Sequence, residues 1–161
     1  MKIGTTMSLC AGIFALSAFT ALGATSDFHG AKMVKAGNYA FTLRSESWKA
    51  REAELSWGQR GDSKNWWLAS LRGRYRGAHI VIPASAYRDL YDVRAAEVVR
   101  STRGTVLVVT GGDGDHAYKA RLWFKKGVIF ERTVRDGRSP DGYFERTTYK
   151  FERPVQAEET D

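Results

Sequence analysis

The run TGGDGDHAY, Thr110–Tyr118, brings two carboxylates and an imidazole into nine residues. Asp113, Asp115 and His116 offer the oxygen and nitrogen donors that a cation takes. A calcium loop needs acidic side chains at alternate positions and a distal glutamate, but Ala117 and Lys119 occupy the next alternate positions. A zinc site needs three or four converging ligands, and the other histidines, His29 and His79, stand far away in the chain. Glycines and aspartates between two apolar runs are also what a chain reversal requires, since glycine supplies positive φ and aspartate tolerates it. The run is therefore expected to be a hairpin turn joining residues 105–110 to 116–124, with no metal and no cofactor. Asp113, Asp115 and His116 become ligands only if folding brings His29 or His79 beside them.

A nucleophile is equally hard to find. The single cysteine, Cys10, lies in an N-terminal apolar run, no Gly-x-Ser-x-Gly elbow is present, and three scattered histidines make no triad. No catalytic residue is assigned, and an enzyme is not expected.

Cations and tryptophans form the more suggestive groups. In LRGRYRGAH, Arg72, Arg74 and Arg76 alternate, so on a strand they share one side and Tyr75 takes the other. Lys119, Arg121, Trp123 and Arg146 are expected on the outward face of the closing strands. An indole among cations can stack on a sugar or engage a polyanion, although charged strands also serve to block edge pairing. Trp66 and Trp67 are placed in the connection between the second and third strands, where they cap the core or line a ligand mouth.

These side chains have to be positioned by strands. Short runs with apolar residues at period two, bounded by Gly, Asn, Asp or Pro, recur through the chain. Tyr39, Phe41 and Leu43 share one face; Ala53, Leu55 and Trp57 make a second run; His79–Ile82 a third, ended by Pro83. ASAYRDLYD has helical spacing and reads as a short link. AAEVVRS and TVLVVT follow, then Tyr118–Phe124, then Val128, Phe130 and Val134, then Tyr143, Thr147, Tyr149 and Phe151. The count predicts an all-β protein, an antiparallel meander of about eight strands closed as a barrel or folded as a sandwich. Pairing Val134 with Tyr143 sets Arg132 opposite Glu145 on the apolar face, where two charges are best read as a structural ion pair.

The first residues suggest a compartment. Lys2 precedes an uncharged apolar run, Met7–Leu22, and Ala21 with Gly23 gives the small side chains of a cleavage site. The run is shorter than the about 20 apolar residues of a spanning helix. We expect a signal peptide at 1–24, a single β domain at 25–153 and a disordered acidic tail at 154–161. Removal of the leader leaves 137 residues without cysteine and lowers the net charge from +7 to +6. Such a basic periplasmic or secreted chain is drawn to anionic polysaccharide, lipid headgroups or an acidic envelope protein, with peripheral membrane contact, rather than to nucleic acid.

The glycine-aspartate hairpin, the Tyr-x-x-Arg strand of Tyr118 and Arg121, and the closing run of Glu145, Thr147 and Tyr149 together resemble a loose group of small exported proteins of Gram-negative bacteria. That resemblance implies an exported β-protein and no particular activity. GGDG is also similar to the diguanylate cyclase signature GGDEF, but Gly114 stands where that family has Glu and Asp115 where it has Phe. The expected function is thus non-catalytic binding of an anionic or carbohydrate envelope component. The alternatives are a lipocalin-like carrier of an apolar ligand near Trp66 and Trp67, and an inhibitor of an envelope hydrolase.

Overall fold

A computed structural model describes residues 28–48, 57–58, 65–138 and 144–151. The signal peptide and acidic tail expected from the sequence, and the run containing Ala53 and Leu55, lie outside the described residues. Among the described residues nine strands form two antiparallel meanders. The first sheet has the order β1-β2-β3-β4, with β1 Gly30–Ala36, β2 Tyr39–Trp48, β3 Asn65–Tyr75 and β4 Ala78–Ile80. The second has β5 Val93–Ser101, β6 Gly104–Gly111, β7 Tyr118–Lys125, β8 Val128–Asp136 and β9 Phe144–Thr148, again in sequence order. The sheets do not close into a barrel. They stack as a sandwich, approaching along one side where β1 runs near β5.

Alternation explains the core. Tyr39, Phe41 and Leu43 of β2 face Leu107 and Val109 of β6, and Tyr118, Ala120, Leu122 and Phe124 of β7, in one buried cluster. Phe41 and Phe124 meet with ring centroids 4.9 Å apart. The link from β4 to β5 crosses one end of this core through a 3₁₀ turn, Ala84–Ala86. It buries Ala86 and Leu90 and is laced to β3 by Leu68 N donating to Leu90 O at 2.9 Å and Asp92 N to Trp66 O at 2.6 Å.

Three expectations are corrected. Trp66 and Trp67 are not in a connection: both belong to β3, where Trp66 stacks on His29 with centroids 4.1 Å apart. Three adjacent apolar residues, Trp66 to Leu68, give no alternation to read. Phe130 is not on the core face, because a bulge between Trp123 and Phe124 and their partners sets Phe124 opposite Ile129 and Trp123 opposite Glu131. The extra residue reverses the alternation, so Ile129 is buried and Val128 exposed. The last hairpin pairs Arg132 with Thr147 and Val134 with Glu145, two residues away from the expected register. An offset of two leaves every side chain on its own face, which is why the apolar pattern cannot detect it.

Candidate anion-binding site

Four tight turns share one end of the sandwich: Gly37–Asn38, Arg76–Gly77, Thr102–Arg103 and Lys126–Gly127. They are knitted together. Arg76 N donates to Asn38 O at 2.9 Å, and Gly127 N donates to the Tyr39 hydroxyl at 3.0 Å. Between them lies a cavity of about 330 Å³ lined by residues of all four hairpins, including Asn38, Tyr39, Tyr75, Arg100, Lys125 and Lys126.

The residues that flank the four turns carry charge of one sign. Lys35, Arg74, Arg76, Arg100, Arg103, Lys125 and Lys126 lie within two residues of a turn, and residues 35–40, 74–79, 100–105 and 124–129 contain no Asp or Glu. Arg103 is answered by Glu131 at 2.9 Å. Arg100, Lys125 and Lys126 have no ion-pair partner among the described residues. Tyr39, having accepted the Gly127 N–H, keeps its own O–H proton for an acceptor in the cavity. Cations converging from separate hairpins, with hydroxyl and amide donors beside them, suit a compact anion.

Two of these cations sit where the backbone disfavours them. Arg76 and Lys126 have φ of 51° and 50°, each at the first position of a two-residue hairpin loop completed by glycine. Asparagine is the residue such loops prefer. Lys126→Asn is therefore expected to raise stability by roughly 0.5–1 kcal/mol while weakening anion binding several-fold. Thermal unfolding and an anion titration, run side by side, check both signs.

The residues singled out by sequence are divided by the fold. Arg72 and Arg74 are exposed on the outer face of the first sheet, opposite Thr42 and Ala40, whereas Tyr75 packs against the core. Arg76 leaves that face for the turn and lies over the Tyr75 ring at 5.4 Å. Lys119, Arg121, Trp123 and Arg146 do share the outer face of the second sheet: Arg121 pairs with Thr133, which pairs with Arg146. Trp123 is no open platform, because the Arg103 guanidinium covers its ring at 4.5 Å. Lys35, Arg100, Lys125 and Lys126 were not anticipated.

The glycine-aspartate run lies at the other end as the β6–β7 turn, with a 3₁₀ turn at Gly114–His116. Its acids face arginines, Asp113 with Arg94 at 3.3 Å and Asp115 with Arg138. Among the described residues no three His, Cys, Asp or Glu side chains converge as metal ligands.

The same end holds a buried charge cluster. Arg132 is 2 % exposed and contacts Asp89 and Glu145, each at 2.5 Å. The Trp57 indole N–H donates to the second Glu145 oxygen at 2.9 Å. The arginine thus ties the β4–β5 link to β8 and β9. Burial raises the Asp89 carboxyl above its ordinary value, outweighing the attraction of Arg132; that cation is shared with Glu145. Burial likewise holds Tyr118 well above the tyrosine range, so it acts as a neutral donor to Tyr91 O at 2.9 Å.

A carboxyl with a raised folded-state value binds more protons folded than unfolded. Its contribution to stability is full below the unfolded value and is lost as pH rises through the folded one. Asp89→Asn removes that dependence. Its stability relative to the parent is expected to improve as pH climbs from below the ordinary aspartate value through the raised one, measurable by urea unfolding across that window.

Comparison with protein-family models, curated proteins and solved structures returns no match to this chain.

Proposed function

We propose that this protein is a non-catalytic, exported β-sandwich that binds an anionic component of the cell envelope, polysaccharide or lipid headgroup, at the cavity between its four tight turns. One observation carries the reading: seven cations and no carboxylate lie within two residues of turns that surround a single cavity. A cleft rimmed by charges of one sign concentrates counter-charged ligands. The packed cluster of Phe41, Leu43, Leu107, Leu122 and Phe124 in the interior favours surface binding over a lipocalin-like carrier, which needs a hollow sheet interior. The export half of the reading rests on Lys2, the apolar run Met7–Leu22 and the small residues after it.

The test is calorimetric titration with alginate, a polyuronate, at low and high salt. Binding that falls steeply with salt and is lost in Arg100→Ser/Lys125→Ser/Lys126→Ser supports the site. Equal binding by that variant and the parent excludes it.

A further inference from the structure

The hairpin end also presents an apolar side chain that anion binding alone does not use. Val128 is 47 % exposed and pairs with Lys125 immediately beyond the Lys126–Gly127 turn. Val99, also exposed, lies on the third rung from the Thr102–Arg103 turn, opposite Val106. Carboxylates gather at the opposite end, where Asp89, Asp92, Asp113, Asp115, Asp136 and Glu145 lie on or beside the β4–β5 link and the connections between β6 and β7 and between β8 and β9. Arg94, Arg132 and Arg138 pair with four of those carboxylates, so the excess positive charge lies at the turn end, and a flat anionic surface attracts the end that carries Val128.

Basic side chains around an exposed apolar tip are what attach a protein peripherally to an anionic bilayer. Each Lys or Arg near the surface gains from the lipid charge, and the apolar residue enters the headgroup boundary. A cavity of about 330 Å³ is at the small end of ligand pockets. It accommodates a headgroup phosphate rather than a long acyl chain. One cation is also set in place by the backbone: a Cβ at Gly37 would overlap the Arg100 guanidinium. Gly37 has φ of 57°, which by itself favours glycine, and its missing side chain leaves the space that the Arg100 guanidinium occupies.

We infer that the four-turn end is a membrane-docking surface for an anionic phospholipid leaflet, with a lipid phosphate held by Arg100, Lys125 and Lys126 and Val128 inserted beside it. The inference rests on the anion-binding reading and names the source of its anion. A free polysaccharide engages the cations but has no use for Val128.

Co-sedimentation of the purified chain with vesicles of phosphatidylcholine, with and without phosphatidylglycerol, tests it, and alginate titration runs in parallel. Binding is expected only with phosphatidylglycerol, falling about fivefold for each of Arg100→Ser and Lys126→Ser. Gly37→Ala keeps every charge, but its Cβ strains the turn at φ of 57° and pushes the Arg100 guanidinium aside, and it is expected to weaken vesicle binding several-fold. Val128→Ser should weaken vesicle binding several-fold and leave alginate binding unchanged. Unfolding midpoints confirm that each variant is folded, and Arg72→Ser controls for bulk charge. Equal binding to both vesicle types overturns the inference, as does parental vesicle binding by Gly37→Ala and Val128→Ser. Alginate binding without vesicle binding overturns the docking surface and leaves the anion-binding reading standing. Binding to neither overturns both.

Discussion

Replacing Arg132 by methionine is expected to lower the unfolding free energy by about 3–5 kcal/mol, the range for removing one partner of a buried ion pair. Two carboxylates would lose their cation at once. Glu145 keeps the Trp57 indole N–H, but Asp89 is left in a buried setting that already raises its proton affinity. The guanidinium ties the β4–β5 link, through Asp89, to the paired strands β8 and β9, through Glu145. Against a total stability of about 5–15 kcal/mol for a domain, the loss is large and readily seen in urea unfolding. Adding Asp89→Asn and Glu145→Gln to Arg132→Met should return part of it, since neutral side chains need no counter-charge. A cost below about 1 kcal/mol would place the pair in the solvent-exposed class and contradict the buried clasp.

The triple variant Arg100→Ser/Lys125→Ser/Lys126→Ser is expected to cost about 100-fold in affinity for an anionic ligand at low salt, taking about 1 kcal/mol for each cation near an anionic surface. The three residues come from two hairpins and line one cavity. They have no ion-pair partner among the described residues, so their removal should not lower the unfolding midpoint. Lys126→Ser still carries a non-glycine residue at φ of 50°, which keeps the turn comparison fair. Arg72→Ser/Arg74→Ser on the outer face of the first sheet changes net charge almost as much and should cost less than tenfold. Equal losses in the two variants would mean that bulk charge, and not the cavity, holds the anion.

Much of the fold is legible in the chain because its strands alternate. Tyr39, Phe41 and Leu43 point inward in β2, and Tyr118 to Phe124 do so in β7, as their spacing requires. What escapes is where alternation fails for a physical reason. In β1 the outward Met33 is as apolar as the half-buried Val34, so the strand shows no contrast. The bulge at Phe130 reverses a face midway through β8. The register of the last hairpin is invisible to a period-two pattern, yet Arg132 and Glu145 still meet, as diagonal neighbours reached by a long side chain.

The candidate site is less legible than the fold. Arg72, Arg74 and Arg76 stand out because they are adjacent in sequence, but the fold leaves two of them on an open sheet face. Lys35, Arg100, Lys125 and Lys126 are scattered over some ninety positions, and only the meander of two sheets gathers their turns. A signal is present nonetheless: KAGN, YRGA, TRGT and KKGV each set a cation beside or near a glycine with no acid nearby. Reading the tight turns of an antiparallel protein as one surface, since alternate turns of a meander share an end, would have found it.

An anion held between the four tight turns would perturb the backbone amides that surround it. Amide chemical-shift mapping during titration with glycerol phosphate tests this most directly. The shifting amides are expected to cluster at residues 37–39, 76–77, 102–105 and 125–128, with the Gly127 N–H that donates to Tyr39 among the largest. Shifts confined to the outer face around Lys119, Arg121 and Arg146, or no saturable shift at low salt, would contradict an anion held there.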